Sequence, residues 1–361
     1  MDIGIFLLMQ SPEGAASREV YARAVRSARL AESLGFSHLW VAEHHFINYS
    51  YSSQPFVLLA HIAALTERIR LGTAIVPLPL HNPLLVAEQA AAVDLLSGGR
   101  LELGIGKGYQ RFQYERLGVE KSDDHAAYEE AIDLLRRALG GRPFSFEGRR
   151  FAVPETLIYP QPLQDPVPVW AAVNSTVAPA VEATVARGIN LFSGTLEPIS
   201  KLVDMRRRYA DAFAAAPGAI RIGTQRPVYV SESEAEARVV AEEARWNARA
   251  GLSLRHEIGG VTGGRVETAP LPGEPSTDEI LAEHMVVGTP EQCIRQLERI
   301  LAGSGADLFN GNFCFGAMTQ DQVERSMRLF AEAVMPVFRP GGAGRARPCR
   351  PEHARAAQGS E

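Results

Sequence analysis

Short apolar runs bounded by turn residues recur along the chain, and between them apolar residues repeat at helical spacing. That alternation predicts a parallel sheet built from strand–helix units. Strands are expected at 3–9, 38–42, 69–76, 101–105, 167–173, 189–192, 222–230 and 307–313. Helices are expected over 17–35, 54–67, 83–97, 123–140, 176–187, 197–216, 233–250 and 319–335. A further helix over 290–302 follows Gly288-Thr289-Pro290, where Thr289 can cap and Pro290 suits the first turn. Eight strands favour a closed (β/α)8 TIM barrel over an open sheet.

The 361 residues suit one such barrel with insertions, since about 250 residues is typical of the fold. The reading is therefore a single α/β domain over 1–338, interrupted at 140–168 and 251–284. The first interruption contains the alternating Phe144-Ser145-Phe146 and reads as a small hairpin with a proline-rich return. The second is rich in Gly, Pro, Thr and Glu and reads as a lid, because long loops in compact domains are usually functional. Residues 339–361 lack an apolar period and are expected to form a disordered tail.

Composition narrows the partner. A formal charge of -5 with scattered arginines gives no clustered positive field for nucleic acid or an anionic membrane. No stretch approaches the roughly 20 apolar residues that span a bilayer. The residues Cys293, Cys314 and Cys349 form neither a disulfide framework nor a zinc pattern. A cytoplasmic enzyme acting on a small molecule is the expectation. A homodimer through helices 54–67 and 83–97 is also expected, because the first is apolar almost all round and the second carries Ala87, Ala90, Ala91 and Ala92.

In a βα barrel the reactive groups lie at the C-terminal ends of the strands. The second strand ends Glu43-His44-His45-Phe46, placing a carboxylate and two histidines at the rim. Adjacent histidines on an extended chain point to opposite faces, so they are not expected to share a metal ion. The fourth strand ends Gly104-Ile105-Gly106-Lys107-Gly108-Tyr109, which is neither GxGxxG nor a GK[ST] phosphate loop. Its glycines admit a flat or phosphorylated ligand to the backbone, and Lys107 supplies a charge for an anion. Asn174, Ser175 and Thr176 follow the fifth strand at a helix start, where they can cap the helix or join a phosphate site.

Together these segments resemble the bacterial luciferase family of flavin-dependent monooxygenases. Further anchors are Ile3-Gly4-Ile5-Phe6-Leu7-Leu8, Gly72-Thr73-Ala74-Ile75, Ser97-Gly98-Gly99-Arg100, Val287-Gly288-Thr289-Pro290 and the closing Ser326 to Pro336. The resemblance implies reduced FMN (FMNH2) from a separate flavin reductase, O2 as co-substrate, and oxygenation of a small organic substrate through a peroxyflavin. It implies catalytic roles for His44 and Glu43, and a cofactor lining of Ala74, Ile75, Lys107, Gly108, Tyr109, Asn174, Ser175, Thr176 and Phe192. Ala74 and Ile75 match a non-prolyl cis peptide beneath the flavin. Gly106 replaces the reactive cysteine of luciferase, which bears on substrate fit. The alternatives are a deazaflavin-dependent dehydrogenase on the same barrel and an inactive flavin-binding partner subunit.

Overall fold

The computed structural model describes residues 1–121, 125–172, 178–195, 197–270 and 273–339. Its strands are β1 (Asp2–Leu7), β2 (His38–Val41), β3 (Arg70–Thr73), β4 (Val76–Pro77), β5 (Leu101–Gly106), β6 (Phe144–Glu147) and β7 (Ala152–Thr156). They continue with β8 (Val169–Ala172), β9 (Asn190–Phe192), β10 (Ile222–Val230), β11 (Val261–Thr262), β12 (Arg265–Val266), β13 (Val286–Gly288) and β14 (Leu308–Asn312). The helices are α1 (Ser17–Ser33), α2 (Pro55–Ala63), α3 (Pro83–Ser97), α4 (Arg111–Arg116), α5 (His125–Ala138), α6 (Ala178–Ala186) and α7 (Ile199–Arg208). After them come α8 (Ala210–Ala214), α9 (Glu234–His256), α10 (Thr277–Glu283), α11 (Pro290–Ser304), α12 (Gln320–Leu329) and α13 (Met335–Phe338).

Parallel pairing runs β1–β2–β3–β5–β8–β9–β10–β14 and back to β1, which closes an eight-stranded barrel. The expected third strand breaks at the cis peptide Ala74–Ile75, so β3 and β4 pair with β5 in two separate pieces. The hairpin β6–β7 fills the first insertion as expected. Local chemistry sets several ends. Asn82 accepts from the Leu84 amide ahead of Pro83, and Gly98 ends α3 in the left-handed region at φ 69. Thr289 and Gln292 form a capping box on α11.

Large rings fill the barrel interior. Trp40, Trp170 and Phe192 pack with centroids 4.6 to 5.5 Å apart. The neighbouring strands carry glycine at the paired positions because a Cβ would collide: at Gly72 it would lie 2.1 Å from Trp40, and at Gly223 2.6 Å from Phe192. Beneath the rings Glu102 accepts from Trp170 Nε1 at 2.6 Å, pairs with Arg70, and lies 3.7 Å from His38 Nε2. Burial works to raise this carboxyl, but His38, Arg70 and Trp170 outweigh it and hold the pKa down to about 2.

Three helix expectations are corrected. The helix expected to stop at residue 250 runs on to His256, because Ser253 and Leu254 continue its buried stripe. The second insertion, read as a lid, holds the end of α9, the hairpin β11–β12 and α10. The expected 197–216 helix divides at Tyr209, and the closing helix takes a wider π-turn over Phe330–Val334. The stretch 340–361, read as a tail, lies outside the described residues. Among the described residues no helix is long and apolar enough to cross a membrane.

Candidate active site

The C-terminal mouth of the barrel is an apolar basin. Phe6, Leu8, Ala42, Ile47 and Tyr49 are buried in it, with Ala74, Ile75, Tyr109, Phe112, Trp246 and Val261 partly buried around the edge. The hairpin β11–β12 comes across this mouth. It is tied to the turn after β2 because Asn48 receives and returns hydrogen bonds: its amide donates to Gly264 O at 2.7 Å, and its side chain accepts from the Val266 amide at 3.0 Å.

Beyond Val41 the chain alternates its side chains, and Phe46 turns it in the left-handed region at φ 62. A non-glycine residue held there is strained, a feature that clusters at functional sites. His44 faces the basin. Its ring meets Tyr49 edge-on at 5.2 Å and Tyr109 at 6.2 Å. Gln113 Nε2 donates to His44 Nδ1 at 3.3 Å, which leaves the ring proton on Nε2. Burial pushes this imidazole down to about 4; the charge of Glu43 opposes the shift and His45 adds to it. His44 is thus a neutral base and hydrogen-bond donor at neutral pH.

Glu43 and His45 face the other way, as expected of neighbours on an extended chain. The Glu43 side chain makes no hydrogen bond to His44. Its Oε1 instead accepts from His45 Nε2 at 2.9 Å and from His81 Nε2 at 2.6 Å. Burial works to raise the Glu43 carboxyl, and these two imidazoles outweigh it and hold it low. Sequence reasoning missed His81, Gln113 and the whole of α4. Arg111–Arg116 is too short to show a period, and His81 stands in a connection without a motif.

The residues at hand fit a flavin. Ala74, Ile75 and Tyr109 give apolar walls beside the backbone of Gly104 and Gly106. A Cβ on Gly106 would come 2.8 Å from Ile75, so the wall is already closed up to the backbone. Lys107 follows directly at the end of β5, and Gly108 turns the chain at φ 70. β5 pairs with β8, which brings the side chain of Ala172 next to Gly106, and Asn174, Ser175 and Thr176 lie outside the described residues. Phe192 is fully buried and stacks on Trp170, so it forms the floor beneath the mouth. A depression of about 260 Å³ between α4 and the hairpin, lined by Phe112, Leu254, Gly259 and Val261, opens beside the basin. One of about 300 Å³, lined by Arg238, Asp278 and Arg299, contains none of these residues.

A closed parallel barrel with a histidine in an apolar, covered mouth defines the class, and the comparisons give the family. The family model for luciferase-like monooxygenases matches residues 1–308, and the chain belongs to that family. It is 28% identical over 335 residues to the oxygenase component of flavin-dependent trigonelline monooxygenase from Acinetobacter baylyi, covering 89% of this chain and 91% of that one. Limonene 1,2-monooxygenase from Rhodococcus erythropolis is 28% identical over 285 residues, 76% of this chain and 70% of that one. Among solved structures, monooxygenase RslO1 from Streptomyces bottropensis superposes with a TM-score of 0.83 at 26% identity, covering 94% of this chain and 100% of that one.

Proposed function

We propose that this chain is the oxygenase of a two-component system, taking reduced FMN from a separate reductase and using O2 to insert one oxygen atom into a small organic substrate. The observation that carries the reading is the setting of His44, a neutral imidazole with one nitrogen held by Gln113 and its ring enclosed by Tyr49 and Tyr109. The reduced flavin supplies the electrons that activate oxygen, and that chemistry is wasted wherever water enters. The chain contributes the dry basin, the hairpin across it, and His44 to exchange a proton with the reacting group. Glu43 is a positioning residue for the turn that carries His44. The names of the relatives support flavin and monooxygenation. Free thiols at Cys293 and Cys314 suit a cytoplasmic, reducing compartment.

Lys107, with the segment 174–176, is assigned to the FMN phosphate. Lys107→Ala is therefore expected to weaken FMN and leave riboflavin affinity nearly unchanged, measured by flavin fluorescence quenching. Equal losses for both ligands would move the phosphate elsewhere.

We also assign the outer faces of α2 and α3 to a second copy of the chain. Of the four alanines expected to make that contact, Ala87, Ala90 and Ala91 are wholly buried in the protomer's own core and Ala92 is half-buried. Val57, Leu85 and Leu96 instead stand 69%, 56% and 67% exposed. Leu85→Arg is expected to shift the chain from dimer to monomer in light scattering. A wild-type monomer at working concentration would overturn the assignment.

A further inference from the structure

The cluster of Glu43, His45 and His81 lies on the opposite side of the β2 turn from His44, and no proton step assigned to the oxygenation passes through it. Its three ligand-type atoms, one carboxylate oxygen and two imidazole nitrogens, all lie within 4.8 Å of one another. Both Nε2 atoms are aimed at a single carboxylate oxygen, at 2.9 and 2.6 Å. The second oxygen, Oε2, is buried and has no partner, although Glu43 is 4% exposed. A carboxylate that takes two donors on one oxygen and none on the other leaves buried acceptor capacity unused, which is costly in an apolar setting. A cation among the three groups would use that capacity.

We propose that Glu43, His45 and His81 form a binding site for a divalent transition-metal cation of the Zn²⁺ class. Two imidazoles and one carboxylate suit Zn²⁺, Co²⁺, Ni²⁺ or Fe²⁺, whereas Ca²⁺ and Mg²⁺ call for all-oxygen sets. Three protein ligands leave a position for water, which makes the site open and exchangeable. The side chain of His81 is 25% exposed, so an ion reaches the cluster from solvent through that ring. The sequence hides the site because the two adjacent histidines diverge, as an extended chain requires. The second imidazole comes instead from His81, 38 positions beyond Glu43. Filling the site would strengthen the tie between the turn after β2 and the segment before α3, which already meet through His81 and Glu43.

The test uses the full chain with any affinity tag removed, stripped with a chelator and without flavin, so that it stands apart from the oxygenase reading. Calorimetric titration with Zn²⁺ is expected to show one equivalent bound per chain and a raised thermal midpoint. Titration with Co²⁺ is expected to give the intense visible bands of a low-coordinate nitrogen–oxygen site. His81→Ala and His45→Ala are expected to abolish that equivalent, while His61→Ala, on the exposed face of α2, leaves it intact. Circular dichroism of each variant separates lost binding from lost fold. Absence of stoichiometric Zn²⁺ and Co²⁺ binding, or binding that survives both His81→Ala and His45→Ala, would overturn the proposal. So would equal loss in His61→Ala.

Discussion

His44→Ala is expected to lower product formed per reduced flavin by about 100- to 10,000-fold, the usual contribution of general acid–base catalysis, with FMN binding nearly unchanged. The expectation comes from placement. His44 is the imidazole that faces the apolar basin, with Nδ1 engaged by Gln113 and Nε2 left to act. Keeping a titratable ring in a dry mouth is costly, and the downward shift of its pKa to about 4 shows that cost in the charged form. His44→Gln should recover part of the coupling if hydrogen bonding alone matters, and none if proton exchange does. His45→Ala should act only through the turn and cost far less. Oxygen consumed without product, counted as peroxide, is the expected fate of the flavin in His44→Ala. Full rate and full coupling in His44→Ala would make His44 a rim residue without a role.

Glu102→Ala is expected to destabilise the fold by about 3–5 kcal/mol in urea unfolding, the cost of removing one partner from a buried charge pair. The loss would leave the Trp170 N–H without its acceptor and remove the carboxylate partner of the part-buried Arg70, which keeps Leu101 O and Gln164 Oε1. The sign with pH follows from the depressed carboxyl. Its folded pKa of about 2 lies below the unfolded value near 4.3, so its stabilisation is fully present above about pH 4.3. That contribution drains away as the pH falls from there towards 2. Wild-type unfolding free energy should therefore fall across that window more steeply than that of Glu102→Gln. Parallel pH dependence in the two proteins would show that Glu102 is not the group responsible.

Much of the barrel was legible because each strand is a short apolar run between turn residues, and burial on both faces demands just that composition. Thr289-Pro290 marked a helix start through chemistry that needs no tertiary context. What stayed hidden depends on contacts made at long range. α9 overran its expected end because Leu254 finds the hydrophobic cluster at the barrel mouth, which local propensity does not report. The alanine stripe of α3 pointed to a partner chain, but the protomer's own core took it first. At the site, the Glu43-His44-His45 run was legible as a rim segment, but the contact of Glu43 with His81, 38 positions away, could not be read from it. Glu102 did carry a signal, a carboxylate between Leu101 and Leu103 inside a buried strand. A charge in that position needs partners on neighbouring strands.

Oxygen insertion itself is most directly tested by isotope. The protein is mixed with photoreduced FMN and heavy-isotope O2 in the presence of a panel of aldehydes, ketones, cyclic terpenes and N-methylated aromatic acids, and products are read by mass. The prediction is one heavy oxygen atom in the product, flavin oxidised in step, and labelling lost in His44→Ala. Turnover of a substrate without oxygen uptake, driven by hydride from a reduced deazaflavin and leaving the product unlabelled, would contradict it.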